Sequence, residues 1–466
     1  MVVYVSGLHT TKHLIDLDHS TVADSGNYSC DALLRWLGTE KHYSNDRNKQ
    51  VLFSLLPQSD YTQSYCRQLK HPVLLLNDVH FGRSSKGKGN VASYFKSESA
   101  SCSNSNQFVV AYLSNFSINN NFSHFLHGLL RLFCALIDAR WIVWNDNQKK
   151  FEKVVSYTIW LDEWFKLDTN KMAWLKALTG GEEPVHLGRA VKSGSCMTAK
   201  TLIYGSGCVK LLPPEKWFGY PHCRAGEVLP AFGQYMRQQF AGKDSKDLFL
   251  IDEFENNAVR SVYRSTAKDD KIDGVRVAFA VRDVTELTGK RGIDNLRDTQ
   301  MLLRRTQHVK TKTENITFEH LDVPSTVRYM SSVHIFVSVH GAGMTNMFFM
   351  NPGSAVVEII PYPLCECRSP DYFYGVGGYY HGSAIAQNIR HYPYCVDSTD
   401  THWHKKPERM GKGHKCSWKY LHSVESVTLD ATKFVSLMRS VERDLVQAGT
   451  VILTKPIINM SPHANG

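Results

Sequence analysis

Between Ile335 and Pro361 the chain reads IFVSVHGAGMTNMFFMNPGSAVVEIIP, and no other stretch restricts the fold as tightly. A β-rich apolar run, Ile335 to Val339, meets a turn with Gly341 and Gly343. A helix-compatible segment follows, Met344 to Met350, and then a second apolar run, Ala355 to Ile360. Runs this rich in apolar residues, interrupted only by Ser338 and Glu358, suit strands buried on both faces, as in a parallel sheet covered by helices. Glycines 341 and 343 permit φ > 0 and close approach of a ligand to the backbone, and the free N–H groups of the next helical turn point over the loop. That geometry suits a phosphate. The same glycines can also serve only a tight crossover turn. His340, Ala342, Thr345 and Asn346 complete the turn, and the polar groups on both sides of it favour the phosphate.

The neighbouring segments keep the same rhythm. Val275 to Val281 is β-rich, Asn295 to Arg305 reads as a helix, Ile316 to Leu321 as a strand, and Pro324 to Ser331 as a short helix with proline in its first turn. Strands separated by helices form βαβ units, hence a parallel doubly wound sheet whose ligands lie outside the carboxyl ends of the strands. Arg282 directly follows the first strand and His340 the third, so both are expected over that edge.

The N-terminal half also alternates. Apolar or β-rich runs at Val73 to Leu76 and Phe108 to Leu113 flank a Gly/Ser/Lys-rich loop from Gly82 to Ser105. Phe122 to Ile137 then carries Phe122, Phe125, Leu126, Leu129, Leu130, Phe133 and Leu136 at helical spacing, with Asn121 or Ser123 as cap and His124 and His127 near its start. A helix is expected over Leu161 to Leu178, and strands at Val185 to Val191 and Thr201 to Tyr204. Residues 1 to 70 show no firm element. They contain Asp16-Leu17-Asp18, the Asp-X-Asp pattern by which some sugar-transferring enzymes hold a metal ion, although so short a pattern arises readily by chance.

At 466 residues the chain has length for two or three domains, and 42% hydrophobic with 21% charged residues describes an ordinary globular protein. The formal charge of +10 is scattered, its densest tract being the loop from His402 to Lys415. No stripe of basic and aromatic residues marks a nucleic-acid surface. Eleven cysteines and Asn-X-Ser/Thr sequons at Asn27, Asn115, Asn121, Asn315 and Asn459 fit the secretory lumen. The N-terminal sequence lacks a signal peptide's charged start and apolar core, and the longest apolar tract, Leu129 to Trp144, is broken by Arg131, Asp138 and Arg140. Either the protein works in the cytosol or its targeting segment lies upstream of this chain; on the sequons and cysteines we expect the ER or Golgi lumen, with membrane attachment only through such an upstream segment. Cys365, Cys367, Cys395 and Cys416 with His391, His402, His404 and His414 lack compact zinc spacing, which favours disulfide or plain surface use over a metal site.

The block VHGAGMTNMFFMNPGSAVVEIIPY resembles the signature of glycosyltransferase family 61. VAFAVRDVTELTGKRGIDN is similar to the family's strand, Arg, then Arg-X-X-Asn stretch, supplying Arg282, Arg291 and Asn295. NFSHFLH at 121 to 127 resembles its Asn-X-X-His motif opening a helix. The resemblance implies a GT-B architecture, α/β with two facing Rossmann-like domains and parallel doubly wound sheets. Residues 1–70 are then an irregular extension, 71–270 the acceptor-side domain and 271–466 the nucleotide-sugar-binding domain with a C-terminal tail. It further implies inverting transfer of GlcNAc or xylose from a UDP-sugar to a hydroxyl of a protein or glycan. The donor would be held without metal or other cofactor by Arg282, Arg291, Asn295, the turn 340–346 and Glu358, the last accepting ribose hydroxyls or serving a structural salt bridge. The chain departs from the family at Ser325-Thr326, at His334, and at Gly128, where the family has an Asp. His124 or His127 is expected to act as base in its place, unless both only cap or pack. Gly128 also leaves open a degenerate module that binds nucleotide or glycan without transfer.

Overall fold

The structure, a computed structural model, describes residues 2–6, 14–15, 74–82, 104–112, 122–138, 141–145, 147–148, 150–161, 167–186, 196–204, 225–240, 251–255, 258–261, 275–281, 291–306, 311–367, 376, 378–403 and 423–448. The chain divides into two compact units. The first comprises Met1–Lys210 with Tyr220–Arg224, the second Leu211–Gly219 with Ala225–Gly466.

The first unit is built on strands β1 (Val2–Ser6), β2 (Leu14–Ile15), β3 (Leu74–Gly82) and β4 (Asn104–Tyr112), helix α1 (Phe122–Asp138), the hairpin β5 (Ile142–Asn145) and β6 (Lys150–Lys153), then β7 (Thr158–Leu161), α2 (Thr169–Thr179), β8 (Val185–His186) and β9 (Cys196–Tyr204). Seven of the strands form one sheet in the order β2-β1-β3-β9-β4-β7-β8. Strands β9, β4, β7 and β8 are mutually parallel, but β3 runs antiparallel to β9, so the sheet is mixed where a parallel one was expected. The helical pattern of α1 is borne out, with Phe125, Leu126, Leu129, Leu130 and Phe133 buried. The helix expected from Leu161 begins only at Thr169. Leu161 instead ends β7, and the carboxylate of Asp168 caps α2 by accepting the Lys171 N–H at 2.8 Å.

The second unit contains α3 (Ala225–Phe240), the hairpin β10 (Ile251–Glu255) and β11 (Ala258–Ser261), then β12 (Val275–Ala280), β13 (Gly292–Ile293), α4 (Leu296–Arg305), β14 (Thr311–Ile316), α5 (Val323–Ser331) and β15 (Ile335–Val339). A 3-10 helix over Ala342–Phe349 leads to β16 (Ala355–Ile360), followed by α6 (Tyr379–Ala386), β17 (Arg390–Cys395), β18 (Thr401–Trp403), β19 (Val424–Val427) and α7 (Ala431–Gln447). Five strands make a wholly parallel sheet in the order β14-β12-β15-β16-β17, a doubly wound topology with its switch point between β12 and β15.

Side-chain alternation gives this sheet two different faces. Val277, Phe279, Val337, Val339, Val357 and Ile359 pack against Leu296 and Leu303 of α4 and Phe434, Met438 and Val441 of α7. The opposite face carries Phe336, Ser338, Val356 and Glu358, and on its side α3, α5 and α6 pack around the 3-10 helix.

The strand expected at Ile316 to Leu321 lies earlier, at Thr311–Ile316, with only a 3-10 turn at Phe318–His320. As a partly exposed sheet edge, its polar sequence TKTENI needs no apolar run. The boundary expected at residue 270 also leaves α3 on the wrong side of the division, since this helix belongs to the second unit. The reason is local: a Cβ on Gly233 would lie 2.4 Å from the Phe348 carbonyl oxygen, so α3 rests directly on the backbone of the 3-10 helix.

Candidate functional site

The carboxyl end of β15 delivers His340 beside the switch point, and the chain then turns through Gly341 into the 3-10 helix. The expected helix is therefore tighter than α, and its side chains give a reason. Thr345 Oγ1 donates to the Ala342 carbonyl at 2.5 Å and Asn346 Nδ2 to the Gly343 carbonyl at 3.0 Å, both bonds reaching three residues back. Asn346 Oδ1 is buried without a partner among the described residues. The Met344 N–H bonds the Gly341 carbonyl at 2.9 Å, whereas the N–H groups of Ala342 and Gly343 find no acceptor among the described residues. Both residues are partly exposed. Two N–H dipoles at the start of a helix, open on one side, are chemically suited to donate to an anion.

The two glycines differ in purpose. A Cβ at Gly341 would stand 2.4 Å from Nη1 and 2.8 Å from Cζ of Arg291, so this glycine makes room for a guanidinium rather than for a ligand. Gly343 has an ordinary negative φ, and a Cβ there would meet only Ser338 Oγ at 3.9 Å. Space beside the backbone is therefore open at 343 and filled at 341.

Arg291 is buried, adopts φ 33°, and donates from Nη1 to the His340 carbonyl at 2.8 Å. A non-glycine residue in that region is strained, and such strain collects at functional sites. Asn295 has a different task. Its Nδ2 donates to the Leu429 carbonyl at 2.7 Å and its Oδ1 accepts the Leu429 N–H at 2.9 Å, so the amide ties the start of α4 to the chain entering α7. Those two hydrogen bonds commit the amide and correct the donor-binding role expected of it.

Glu358 is corrected in the same way. It is 2% exposed, and its two oxygens take Nδ1 of His340 and, at 2.6 Å, Nε2 of His391. A carboxylate so enclosed is not presented to ribose hydroxyls. Burial alone would push this carboxyl up, but the charge and hydrogen bonds of His340, with those of His391, outweigh it and hold the group at about 2. The negative charge is thus shared between two imidazoles behind the turn and does not oppose an anion in front of it.

Several contributors escaped the sequence reading. Tyr380 on α6 donates its hydroxyl to the Gly341 carbonyl at 2.5 Å and stands edge-on to His340 at 5.0 Å. Arg237 on α3 donates to the Met350 carbonyl at 2.9 Å, and at 3.4 Å to that of Phe349, at the far end of the 3-10 helix. Its burial pushes the guanidinium down to about 10. His391 was considered only as one of the tail histidines. The signal that could have found it is parity: in register with Val356, it shares the sheet face of Glu358. His334, one of the departures from the family pattern, accepts the Arg276 N–H through Nδ1 at 3.0 Å. Burial and the charge of Arg276 hold it neutral, down to about 4.

Arg282, Asp16 and Asp18 lie outside the described residues. His124 and His127 fall in the first two turns of α1, their side chains also outside the description, and Gly128 is buried in the same helix. Cys365 and Cys395 are joined in a disulfide, and Cys367 is also disulfide-bonded. Among the described residues no group of three or more His, Cys, Asp or Glu is placed to hold a metal ion, and no helix is long and apolar enough to cross a membrane.

The family described as Glycosyltransferase 61 matches residues 241–357, a stretch that contains Arg291 and the whole turn and stops just before Glu358. Curated relatives align over the same kind of short span. Protein O-linked-mannose beta-1,4-N-acetylglucosaminyltransferase 2 of Canis lupus familiaris is 32% identical over 78 residues, 17% of this chain and 13% of that protein. The Homo sapiens protein of that name is 31% identical over 78 residues, again 17% and 13%, and the Takifugu rubripes protein 25% over 99 residues, 21% and 16%. The aligned stretch therefore spans less than a fifth of each relative. The matched residues include β12, β14 and β15, the strained arginine and the turn of one parallel sheet, and over this stretch the chain is similar to glycosyltransferase family 61.

Proposed function

We propose that the chain is an inverting glycosyltransferase of GT-B architecture that moves GlcNAc or xylose from a UDP-sugar to a hydroxyl on a protein or glycan. The observation that carries this reading is the open pair of N–H groups at Ala342 and Gly343 beside the switch point of a parallel sheet, backed by the buried Arg291. The diphosphate leaving group develops charge as the sugar departs, and fixed N–H dipoles with a guanidinium behind them stabilise that charge without a metal. The relatives' printed name, an N-acetylglucosaminyltransferase acting on O-linked mannose, supports GlcNAc as donor sugar and a glycan-bearing protein as acceptor.

In the transfer, the acceptor hydroxyl oxygen attacks the anomeric carbon as the bond from that carbon to the diphosphate oxygen breaks. The acceptor proton passes to a base and UDP leaves. His124 or His127 at the start of α1 takes the proton in this reading, since Gly128 cannot. Gly128 also supports the second reading, a module that binds the nucleotide and transfers nothing.

The experiment is UDP titration by calorimetry with and without EDTA, followed by transfer and hydrolysis assays of the purified chain across UDP-GlcNAc and UDP-xylose. Binding that survives EDTA together with turnover of one donor is the expected result. Binding without turnover of any donor selects the module, and loss of binding in EDTA moves the site to a metal. We also assign the protein to the ER or Golgi lumen, on the disulfides and on the exposed sequon residue Asn315. A glycosidase-sensitive mass shift at Asn315 after expression through the secretory pathway checks this.

A further inference from the structure

Behind the turn, four side chains from four segments of the second unit form a continuous row. His381 on α6 faces His391 on β17, Nδ1 to Nδ1 at 3.4 Å; His391 Nε2 reaches Glu358 Oε2 on β16 at 2.6 Å; and Glu358 Oε1 meets Nδ1 of His340 at the end of β15. The sheet register builds the row. Glu358 is paired with Ser338 on one side and Pro393 on the other, so His340 and His391, each two residues from those partners, flank it diagonally on the same face. The His391 side chain is 1% exposed and that of Glu358 2%.

Donor and acceptor counting fixes the protons. An ionised carboxylate only accepts, so His340 Nδ1 and His391 Nε2 both carry hydrogen. In a neutral ring His391 Nδ1 is then an acceptor, and the hydrogen between the two facing nitrogens belongs to His381. Each ring is held in one tautomer by the next.

We propose that His391, backed by His381, is a positioning residue for the donor-binding turn: by occupying one oxygen of Glu358 it directs the other onto His340 and so fixes the peptide from which the turn starts. The inference rests on reading that turn as the donor site. The consequence runs through the main chain, because the His340 carbonyl holds Arg291 and the next residues carry the open N–H groups. Losing the His391 contact frees the carboxylate to rotate, and the His340 ring and the Arg291 guanidinium lose their reference together.

The test uses His391→Gln, whose Nε2 can still donate to Glu358, and His391→Phe, which fills the space without donating. Two measurements are made on the full chain: UDP affinity, and long-range ¹H–¹⁵N spectra of the His340 ring. His391→Phe is expected to weaken UDP about tenfold, the scale of one hydrogen bond to a charged group, and to abolish the single Nδ1–H pattern of His340, while His391→Gln keeps both near wild type. A folded His391→Phe with unchanged affinity and ring spectrum overturns the proposal, as does a His391→Gln as damaged as the Phe variant. Should His391→Phe not fold, His381→Phe, at a partly exposed position, removes the donor behind His391 and is expected to shift both readouts in the same direction; no shift in either overturns the proposal. If wild type binds no UDP, the donor reading fails and the ring spectra alone decide whether His391 holds His340.

Discussion

Replacing Glu358 by Gln gives a stability test whose size can be worked out from the site. A carboxyl moved from 4.5 to about 2 has its charged form favoured by about 3 kcal/mol at about 1.4 kcal/mol per pH unit. Counted another way, two hydrogen bonds to a charged group contribute roughly 3–6 kcal/mol, from which burial of the charge subtracts. The two routes meet near 3 kcal/mol. Glutamine fills the same volume but turns an NH2 donor toward one of two imidazole donors, so one contact is lost and the other weakened. Urea unfolding at pH 7 should therefore show Glu358→Gln less stable than wild type by about 3 kcal/mol. The sign with pH follows. Because the folded carboxyl titrates below its unfolded value, its stabilisation is complete above about pH 4.5 and disappears as pH falls toward 2, so the gap between the proteins should narrow over that range. A Glu358→Gln protein that unfolds within about 1 kcal/mol of wild type would refute the reasoning, since the two imidazole contacts would then contribute little to stability.

Three further outcomes are expected. Gly341→Ala places a Cβ against the Arg291 guanidinium and should cost about 1–3 kcal/mol of stability as well as most UDP affinity, whereas Gly343→Ala, with open space beside it, should leave the melting temperature unchanged and weaken UDP only; equal melting losses in the two would contradict the division of labour described above. Gly233→Ala drives a Cβ into the Phe348 carbonyl and should lower unfolding free energy by about 1–3 kcal/mol in a denaturant melt, and an unaffected protein would mean that α3 is free to shift away. His334 titrates near 4 when folded and 6.5 when unfolded, so it contributes full stability above about pH 6.5 and loses about 3 kcal/mol as pH falls to 4. His334→Asn, which keeps an acceptor for the Arg276 N–H, should flatten the stability profile between those limits.

The sequence by itself determined the strands Ile335–Val339 and Ala355–Ile360, because each is a predominantly apolar run that burial on both faces accommodates. It also determined the amphipathic helix at Phe122 and the place of the turn, since helical spacing and glycine are local signals. Polar edge strands carry no such signal, which is why β14 was displaced by five residues, and the direction of β3 against β9 depends on pairing between residues more than a hundred positions apart. The roles of the site residues were decided later still. Local sequence cannot say that Gly341 yields space to Arg291, that Asn295 is spent on Leu429, or that Glu358 lies between two imidazoles, because each depends on which strand lies beside which and in what register. His391 shows the reason most plainly: it lies 33 residues from Glu358 along the chain, and only the pairing of β16 with β17 brings its ring within 2.6 Å of the carboxylate.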